Sequence, residues 1–443
     1  MSLRYSVESK TKGFREGALP GESFTEAGRD MAESEKAAKY LQDAGYDMLN
    51  CDNGTYDAWY WAHPPIYMPE NCNLEDVAHI RKFVDIPVVC AGRMDPETAA
   101  AAIADGRIDG AGFARQFLAD QEWVTKLMND KEDDIRPCIL CHNGCFNMCH
   151  YKGVPNDQAL SDSLHLARCA VNAETMQWEK HKIVPTTSPK KVHIIGGGIG
   201  GMEAARVLKL RGHEPVIHEQ TDHLGGTFIA ASAESYKGKL RDLLTWYRKQ
   251  MADLGIEIHY NEKVESIDQF AGAPVIIATG AVPRVLKKVP GHEKMVEACE
   301  YLTGTPVGEK VAVIGGGLTG CEIAYELALQ GKQPVIIEMK NDLIAQTGVC
   351  LANSSYLREW FAWKKVPVYL ETTLQEVKDD SIVCKDASGK EITIPCDSVI
   401  SSAGYIPHPL VPKSSNVSLV GDCDGVGNLR SVVWRAYEVA MKI

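Results

Sequence analysis

Cys138, Cys141, Cys145 and Cys149 stand within twelve residues in R-P-C-I-L-C-H-N-G-C-F-N-M-C-H, and Cys169 follows in R-C-A-V-N. Thiolates bunched this closely call for a metal or a disulfide. The C-x2-C-x3-C spacing lets three sulfurs converge from one loop, with a fourth arriving from Cys169 or Cys149. A cubane iron–sulfur cluster takes four thiolates. Structural zinc takes four cysteines, or three with a histidine, often as two C-x2-C pairs, and here the second interval is x3. Cys138-x-x-Cys141-His142 also matches a c-type haem attachment site. Haem attachment needs an exported chain, and the opening M-S-L-R-Y-S-V-E has no apolar targeting core. The same compartment argument speaks against disulfides. Redox folds downstream strengthen the iron–sulfur reading.

Those folds announce themselves as two glycine fingerprints. K-V-H-I-I-G-G-G-I-G-G-M-E-A-A-R-V-L gives a strand, then Gly196, Gly198 and Gly201 as G-x-G-x-x-G, then a helix. The next strand, P-V-I-H-E, ends on Glu219. The glycines allow a tight turn that brings a pyrophosphate to the helix N-terminus, and the acid holds ribose hydroxyls. The pattern recurs with Gly315, Gly317 and Gly320, closed by Glu338 at the end of P-V-I-I-E. P-V-I-I-A-T-G and S-V-I-S-S-A-G-Y-I-P frame the second copy, and V-S-L-V-G-D-C puts Asp422 past a final strand. This order predicts an FAD-binding domain interrupted by an NAD-binding one, with NADH preferred because Glu338 repels a 2′-phosphate.

Ahead of the cysteines, short apolar strands alternate with helices. Strands are expected at 3–7, 46–51 and 86–92, helices over 22–44, 73–84 and 95–105, and a short strand running into a helix over 110–115. Such alternation implies a parallel sheet, and four units make half of a β/α barrel, whose sites lie at the C-terminal strand ends. Arg4, Gly92, Arg93, Ala114 and Arg115 fall in or just past those strands. Gly92 would let the backbone approach an anion, and the arginines would supply charge for a phosphate. The aromatic stretch N-G-T-Y-D-A-W-Y-W-A-H-P-P-I-Y-M-P suits the wall of an apolar pocket, with His63 as its polar contact.

Bulk properties bound the rest. A chain of 443 residues is long enough for two to four domains. A formal net charge of −12 argues against nucleic acid and anionic membrane surfaces. No apolar run approaches the roughly 20 residues of a membrane helix. Fourteen cysteines without an export signal point to a reducing cytoplasm.

Taken together, R-Y-S, W-A-H-P-P, A-G-R, A-R-Q-F-L-A-D, R-P-C-I-L-C-H-N-G-C, C-A-V-N and the two fingerprints resemble the iron–sulfur flavoenzymes of the old yellow enzyme superfamily. That group includes 2,4-dienoyl-CoA reductase, 2-enoate reductase, trimethylamine dehydrogenase and the bile-acid-inducible NADH:flavin oxidoreductases. The resemblance implies FMN in the barrel, with Arg4, Arg93, Ala114 and Arg115 at its contact positions. It makes Cys169 the fourth ligand of a 4Fe-4S cluster beside Cys138, Cys141 and Cys145. It places FAD contacts at Gly200, Glu219, Lys237 and Val264, and the substrate-contacting histidine at His63. A glutamine common after the L-G-G turn is Thr227 here.

The resemblance also implies four further strands before the first of this chain, carrying other flavin contacts and a catalytic tyrosine. Among the tyrosines present, Tyr56, Tyr60 and Tyr67 are the candidates to replace it. The expected layout is a half-barrel over 1–130, a cluster segment and linker over 131–189, FAD-domain parts at 190–300 and 391–443, and an NAD domain at 301–390. The expected activity is reduction of an activated C=C bond in an unsaturated carboxylate, enone or acyl-CoA. The alternative is an NADH-oxidising module that feeds electrons to a partner. Self-association, or a partner chain completing the barrel, is expected, as is retention of FAD over FMN.

Overall fold

The computed structural model describes residues 1–149, 167–270, 272–346 and 348–443. The insertion between the cysteine motif and Cys169, and the side chain of Cys149, lie outside the described residues. The chain forms two compact units. One comprises 1–117, 140–142 and 350–365, and the other comprises 118–139, 143–349 and 366–443.

The first unit holds a four-stranded parallel sheet in the order β1 (Ser2–Ser6), β2 (Met48–Asp52), β3 (Val88–Ala91), β4 (Gly110–Gly112). Helices α1 (Met31–Asp43), α3 (Leu74–Ile80) and α4 (Pro96–Ala104) fall between successive strands, and a short helix α2 (Trp59–Ala62) interrupts the aromatic stretch. Local sequence sets the ends of these helices. Asp30 and Asp95 cap α1 and α4 by accepting from Glu33 N and Thr98 N, each at 2.8 Å, and Pro96 opens α4. Gly45 and Gly106, at φ +97° and +68°, follow the two helices.

Two expected helices are shorter than their periodicity implies. The first begins at Met31 rather than Glu22. Residues 22–29 are held in a loop, where Glu22 accepts from Leu19 N and Glu26 from Thr11 N and Gly28 N. Carboxylates committed to loop backbone in this way compete with helix formation. The second ends at Ile80 and tightens into a 3-10 turn over Arg81–Phe83.

Alternation along the strands sorts the two sheet faces. Tyr5, Leu49, Cys51, Val88 and Cys90 pack with Ala38, Val77, Ile80, Ala99 and Ala102 in one apolar core. The other face carries Arg4, Asn50 and Asp52, then Val89 beside Gly110 and Ala91 beside Gly112. That face is small and polar, as the inside of a barrel that surrounds a cofactor requires. The fold is thus α/β with a partial barrel.

The second unit contains two parallel five-stranded sheets. The first runs β14 (Val417–Leu419), β8 (Val275–Ile277), β5 (Lys191–Ile195), β6 (Glu214–His218), β7 (Glu257–His259). The second runs β9 (Val296–Glu297), β13 (Ser398–Ser401), β10 (Lys310–Ile314), β11 (Gln333–Ile337), β12 (Val368–Tyr369). The chain leaves the first sheet after β8, builds the second, and returns for β14, so one Rossmann-like domain is inserted in another. Because β9 and β13 belong to the inserted sheet, it reaches beyond 301–390 on both sides. No helix among the described residues is long and apolar enough to cross a membrane.

Candidate functional site

Each fingerprint fills the turn between a strand and a helix. β5 ends at Ile195, and α5 (Ile199–Leu210) begins four residues later. Gly196 has φ +108°, and a Cβ there would lie 2.5 Å from the carbonyl oxygen of Ala278. A Cβ on Gly201 would lie 2.0 Å from the carbonyl oxygen of Gly196, so helix and strand approach only because the residue is bare. Gly198 differs, since nothing lies within 4 Å of its missing side chain. The open side of the turn thus faces the N-terminus of a twelve-residue helix, where free N–H groups and the dipole favour an anion. Gly200 packs beside Val432 and Val420.

Glu219 follows β6. One carboxylate oxygen accepts from Gly197 N at 2.8 Å, and the other from Thr221 N and Oγ1. The second fingerprint repeats the device between β10 and α6 (Leu318–Leu329). A Cβ on Gly315 would lie 2.4 Å from Ser402 O, and one on Gly320 1.9 Å from Gly315 O. Glu338 accepts from Gly316 N at 2.6 Å and from Lys340 N at 2.7 Å. The two turns differ at Gly317, where Gln346 Oε1 lies 3.0 Å from the missing Cβ and accepts from Leu318 N. These cradles fit the pyrophosphate and ribose of a dinucleotide.

The other residues expected near FAD have defined partners. Lys237 is buried between Glu234 and Glu322, with Nζ 2.8 Å from Glu322 Oε2. Burial works against its charge, but the two carboxylates outweigh burial and hold its pKa above the usual lysine value. Its ammonium is therefore committed within the protein, although the resemblance gives it to the flavin. Val264 lies in a core with Ile195, Phe270, Val275 and Cys423. Asp422 follows β14 and accepts from Gly427 N at 3.1 Å, while burial raises its carboxyl pKa.

In the first unit, Arg4 projects from the small polar face and donates twice to Asp52, at 2.8 Å from Nε and 2.5 Å from Nη2. Its side chain is 57% exposed and so remains reachable. Gly92 and Arg93 do not form the open anion cradle expected of them. A Cβ on Gly92 would lie 2.2 Å from Nδ2 of the fully buried Asn73, so the glycine makes room for that amide. Asn73 donates to Ala91 O at 2.8 Å. The Arg93 guanidinium folds back onto the aromatic stretch, donating to the carbonyls of Ile66 and Met68. Arg115 likewise donates to Pro64 O at 2.8 Å, while Ala114 is exposed beside it. Two of the three arginines thus brace the loop that carries His63.

His63 is half-buried at the end of α2, its ring 6.0 Å from that of Trp59. Arg115 Nη1 also donates to His142 Nε2 at 2.7 Å. That bond fixes the proton of His142 on Nδ1, which donates to Asn353 Oδ1 at 2.9 Å. Burial and the neighbouring Arg115 hold the His142 pKa well below its ordinary value, so the ring stays neutral. Sequence reasoning did not find the Arg115–His142–Asn353 chain. The helix Leu351–Lys364 supplies its last member, far away along the sequence. Tyr60 belongs to another such link, donating to Glu359 on the same helix at 2.6 Å.

Among the clustered cysteines, Cys138, Cys145 and Cys169 belong to the second unit, and Cys141 is grouped with the first. Burial, together with the charges that Cys138 and Cys145 would carry, pushes the Cys169 thiol up to about 12. That opposition to the Cys169 thiolate is what the positive charge of a bound iron cluster would reverse. The segments meet at Gly144, where a Cβ would lie 2.6 Å from both Ala170 N and Cys169 C. Trp434, fully buried, donates to Cys169 O at 2.9 Å. Arg136 donates to Val171 O and lies over the Trp246 ring at 4.7 Å. These partners hold the cysteine backbone in place, and the donor set fits an iron–sulfur cluster.

A partial barrel of FMN type followed by nested dinucleotide folds is the architecture of flavin-dependent oxidoreductases. The pyridine nucleotide-disulphide oxidoreductase family matches residues 190–424, and the NADH:flavin oxidoreductase / NADH oxidase family matches 19–134. The chain therefore belongs to the flavoenzymes of the old yellow enzyme / 2,4-dienoyl-CoA reductase type, with FAD, NAD and FMN domains. It is 38% identical to a cinnamate reductase of Clostridium sporogenes, over 100% of this chain and 66% of that one. It is 31% identical to a bilirubin reductase of Mediterraneibacter gnavus, over 88% of this chain and 61% of that one. A solved 2-naphthoyl-CoA reductase complex superposes with a TM-score of 0.81 at 26% identity, covering 94% of this chain and 63% of that one. The chain thus spans just under two thirds of the length of these relatives.

Proposed function

We propose that this protein is an NADH-dependent reductase of activated C=C bonds, acting on an unsaturated carboxylate, enone or acyl-CoA. The carrying observation is the pair of matched turns, in which Glu219 and Glu338 each brace a glycine just ahead of a helix start. The flavins and a 4Fe-4S cluster would supply the electron chemistry, passing electrons in the order NADH, FAD, cluster, FMN. Cys138, Cys141, Cys145 and Cys169 are the proposed cluster ligands.

The chain's own residues bind and orient. Gly196, Gly198, Gly200, Gly201 and Glu219 receive the FAD adenosine and pyrophosphate, with Val264 and Asp422 beside them. Gly315, Gly317, Gly320 and Glu338 receive NADH, and Gln346 must release Leu318 N before a pyrophosphate reaches that helix start. Arg4, already oriented by Asp52, offers positive charge on the barrel face. Gly92, Arg93, Ala114 and Arg115 form the FMN rim chiefly through backbone, since both guanidinium groups brace the His63 loop. His63 donates to the substrate carbonyl, where negative charge develops as the alkene is reduced. The similarity to the cinnamate reductase supports an arylacrylate-type substrate.

A second reading, an NADH-oxidising module that delivers electrons to a partner, is favoured by the commitment of Arg93 and Arg115 to loop carbonyls. Rapid mixing with NADH, followed by cinnamate, crotonate or an enoyl-CoA, separates the two. Flavin reoxidation by an alkene supports the first reading. Reoxidation only by a dye supports the second, and no reduction by NADH rejects both.

A further inference from the structure

A histidine cluster lies on the first dinucleotide sheet, beside the fingerprint turn, where Gly196 N donates to His218 O at 2.9 Å. His218 ends β6 and pairs in register with His259, which ends β7, while Glu262 follows in the next loop. One ligand atom from each of the three lies within 4.8 Å of the others. Both Nδ1 atoms already converge on one carboxylate, His218 at 2.9 Å from Glu262 Oε1 and His259 at 2.7 Å from Oε2.

The remaining ring nitrogens are arranged as an ion would require. If both Nδ1 atoms are ligands, each Nε2 must carry its proton. Nε2 of His259 then donates to Glu257 Oε1 at 2.8 Å, and Nε2 of His218 to His193 Nδ1 at 2.9 Å. A partner for the far nitrogen of each ligating imidazole is the usual support of a metal site. His193 is itself fixed by stacking on Phe270, with ring centroids 4.2 Å apart. The site is also accessible. His218 is 3% exposed, but the side chains of His259 and Glu262 are 42% and 37% exposed.

We propose that His218, His259 and Glu262 bind a divalent ion of the zinc class through two imidazoles and one carboxylate, leaving a coordination position for water. A tetrahedral ion with bonds near 2.0 Å sets its ligand atoms roughly 3.3 Å apart, so separations of up to 4.8 Å must close by at most about 1.5 Å, by movement of the accessible His259 and Glu262. The ion would act as a clasp. It ties edge strand β7 and the 260–264 loop to β6, immediately before Glu219, whose carbonyl accepts from Glu262 N at 2.8 Å.

The test uses the full chain, purified anaerobically with flavin and cluster in place and freed of loose metal by a chelator. Zinc chloride is titrated in, the protein is desalted, and bound zinc per chain is counted. The wild type and His223→Gln, altered at an exposed histidine on a nearby loop, should each hold one zinc more than Glu262→Gln or His259→Gln. X-ray absorption at the zinc edge should report nitrogen and oxygen neighbours, which separates this site from the cysteine cluster. Comparable zinc in wild type and both site variants would overturn the proposal. So would sulfur around all the wild-type zinc, or no zinc retained by the wild type. Glu262→Gln alters a half-exposed, near-isosteric side chain, so it remains decisive if His259→Gln does not fold.

Discussion

A side chain on Gly144 would strike the backbone of Cys169, reaching 2.6 Å from the latter's carbonyl carbon. The two cysteine-bearing segments therefore meet through a bare backbone. Gly144→Ala should push Cys169 out of place at a cost of about 1–3 kcal/mol, the usual scale for overpacking. Anaerobically purified Gly144→Ala and Cys169→Ala should lose most of the iron found in the wild type, while Cys149→Ala keeps it. Iron analysis beside the visible spectrum checks this, and an unaltered cluster in Gly144→Ala would refute it.

Pyridine nucleotide preference should follow Glu338. Its carboxylate follows β11, where a ribose 2′-hydroxyl is expected and a 2′-phosphate would be repelled. Rapid mixing should show flavin reduction by NADH at least about tenfold more efficient than by NADPH, equivalent to ~1.4 kcal/mol. Equal rates would count against this assignment. Lys340 is the neighbouring cation that would narrow the ratio.

Stability of the first unit should carry a pH signature from Glu359. Burial pushes its carboxyl up to about 7 from an ordinary 4.5, although the Tyr60 hydroxyl and Lys12 act in the opposite direction. The folded chain therefore keeps this proton after the unfolded chain has released it. Stability falls as pH rises from about 4.5 to about 7 and then levels off. In Glu359→Gln that contribution should vanish, so the wild-type-minus-variant difference in thermal midpoint should drift across this window. A flat difference would show that the carboxyl ionises normally.

The chain of 443 residues should retain FAD more firmly than FMN. The FAD turn is open and braced, whereas the Arg93 and Arg115 guanidinium groups serve loop carbonyls rather than a phosphate. Flavins released by denaturation and separated should give near one FAD per chain and clearly less FMN. One tightly held FMN per chain would overturn this.

Much of this organisation is legible in the residues themselves. Glycine spacing and a closing acid are local signals, so both dinucleotide turns could be read from about thirty residues each. Alternating apolar runs gave the four barrel strands in order. The first helix was overextended because apolar spacing continues through 22–30, while Glu22 and Glu26 hold that stretch in a loop. The partners of Gly92, His142 and Tyr60 were out of reach for another reason. Asn73 beside Gly92, Asn353 beside His142 and Glu359 beside Tyr60 are tertiary contacts, two of them over more than 200 residues. No periodicity or motif encodes them. The histidine trio was invisible for the same reason, since β6 and β7 become neighbours only through sheet register.

The bond from Glu338 to Gly316 N also bears on redesign. The acid proposed to select the coenzyme is one of the supports of its own turn, as Glu219 is for the other turn. Exchanging it for a residue that welcomes a 2′-phosphate would strand a backbone donor as well as change a charge. An engineered switch of coenzyme would therefore need a substitute acceptor, such as a serine or asparagine side chain, before any arginine nearby could help. Glu338→Gln would separate the two parts, since its amide oxygen can still accept from Gly316 N while the charge that meets a 2′-phosphate is gone.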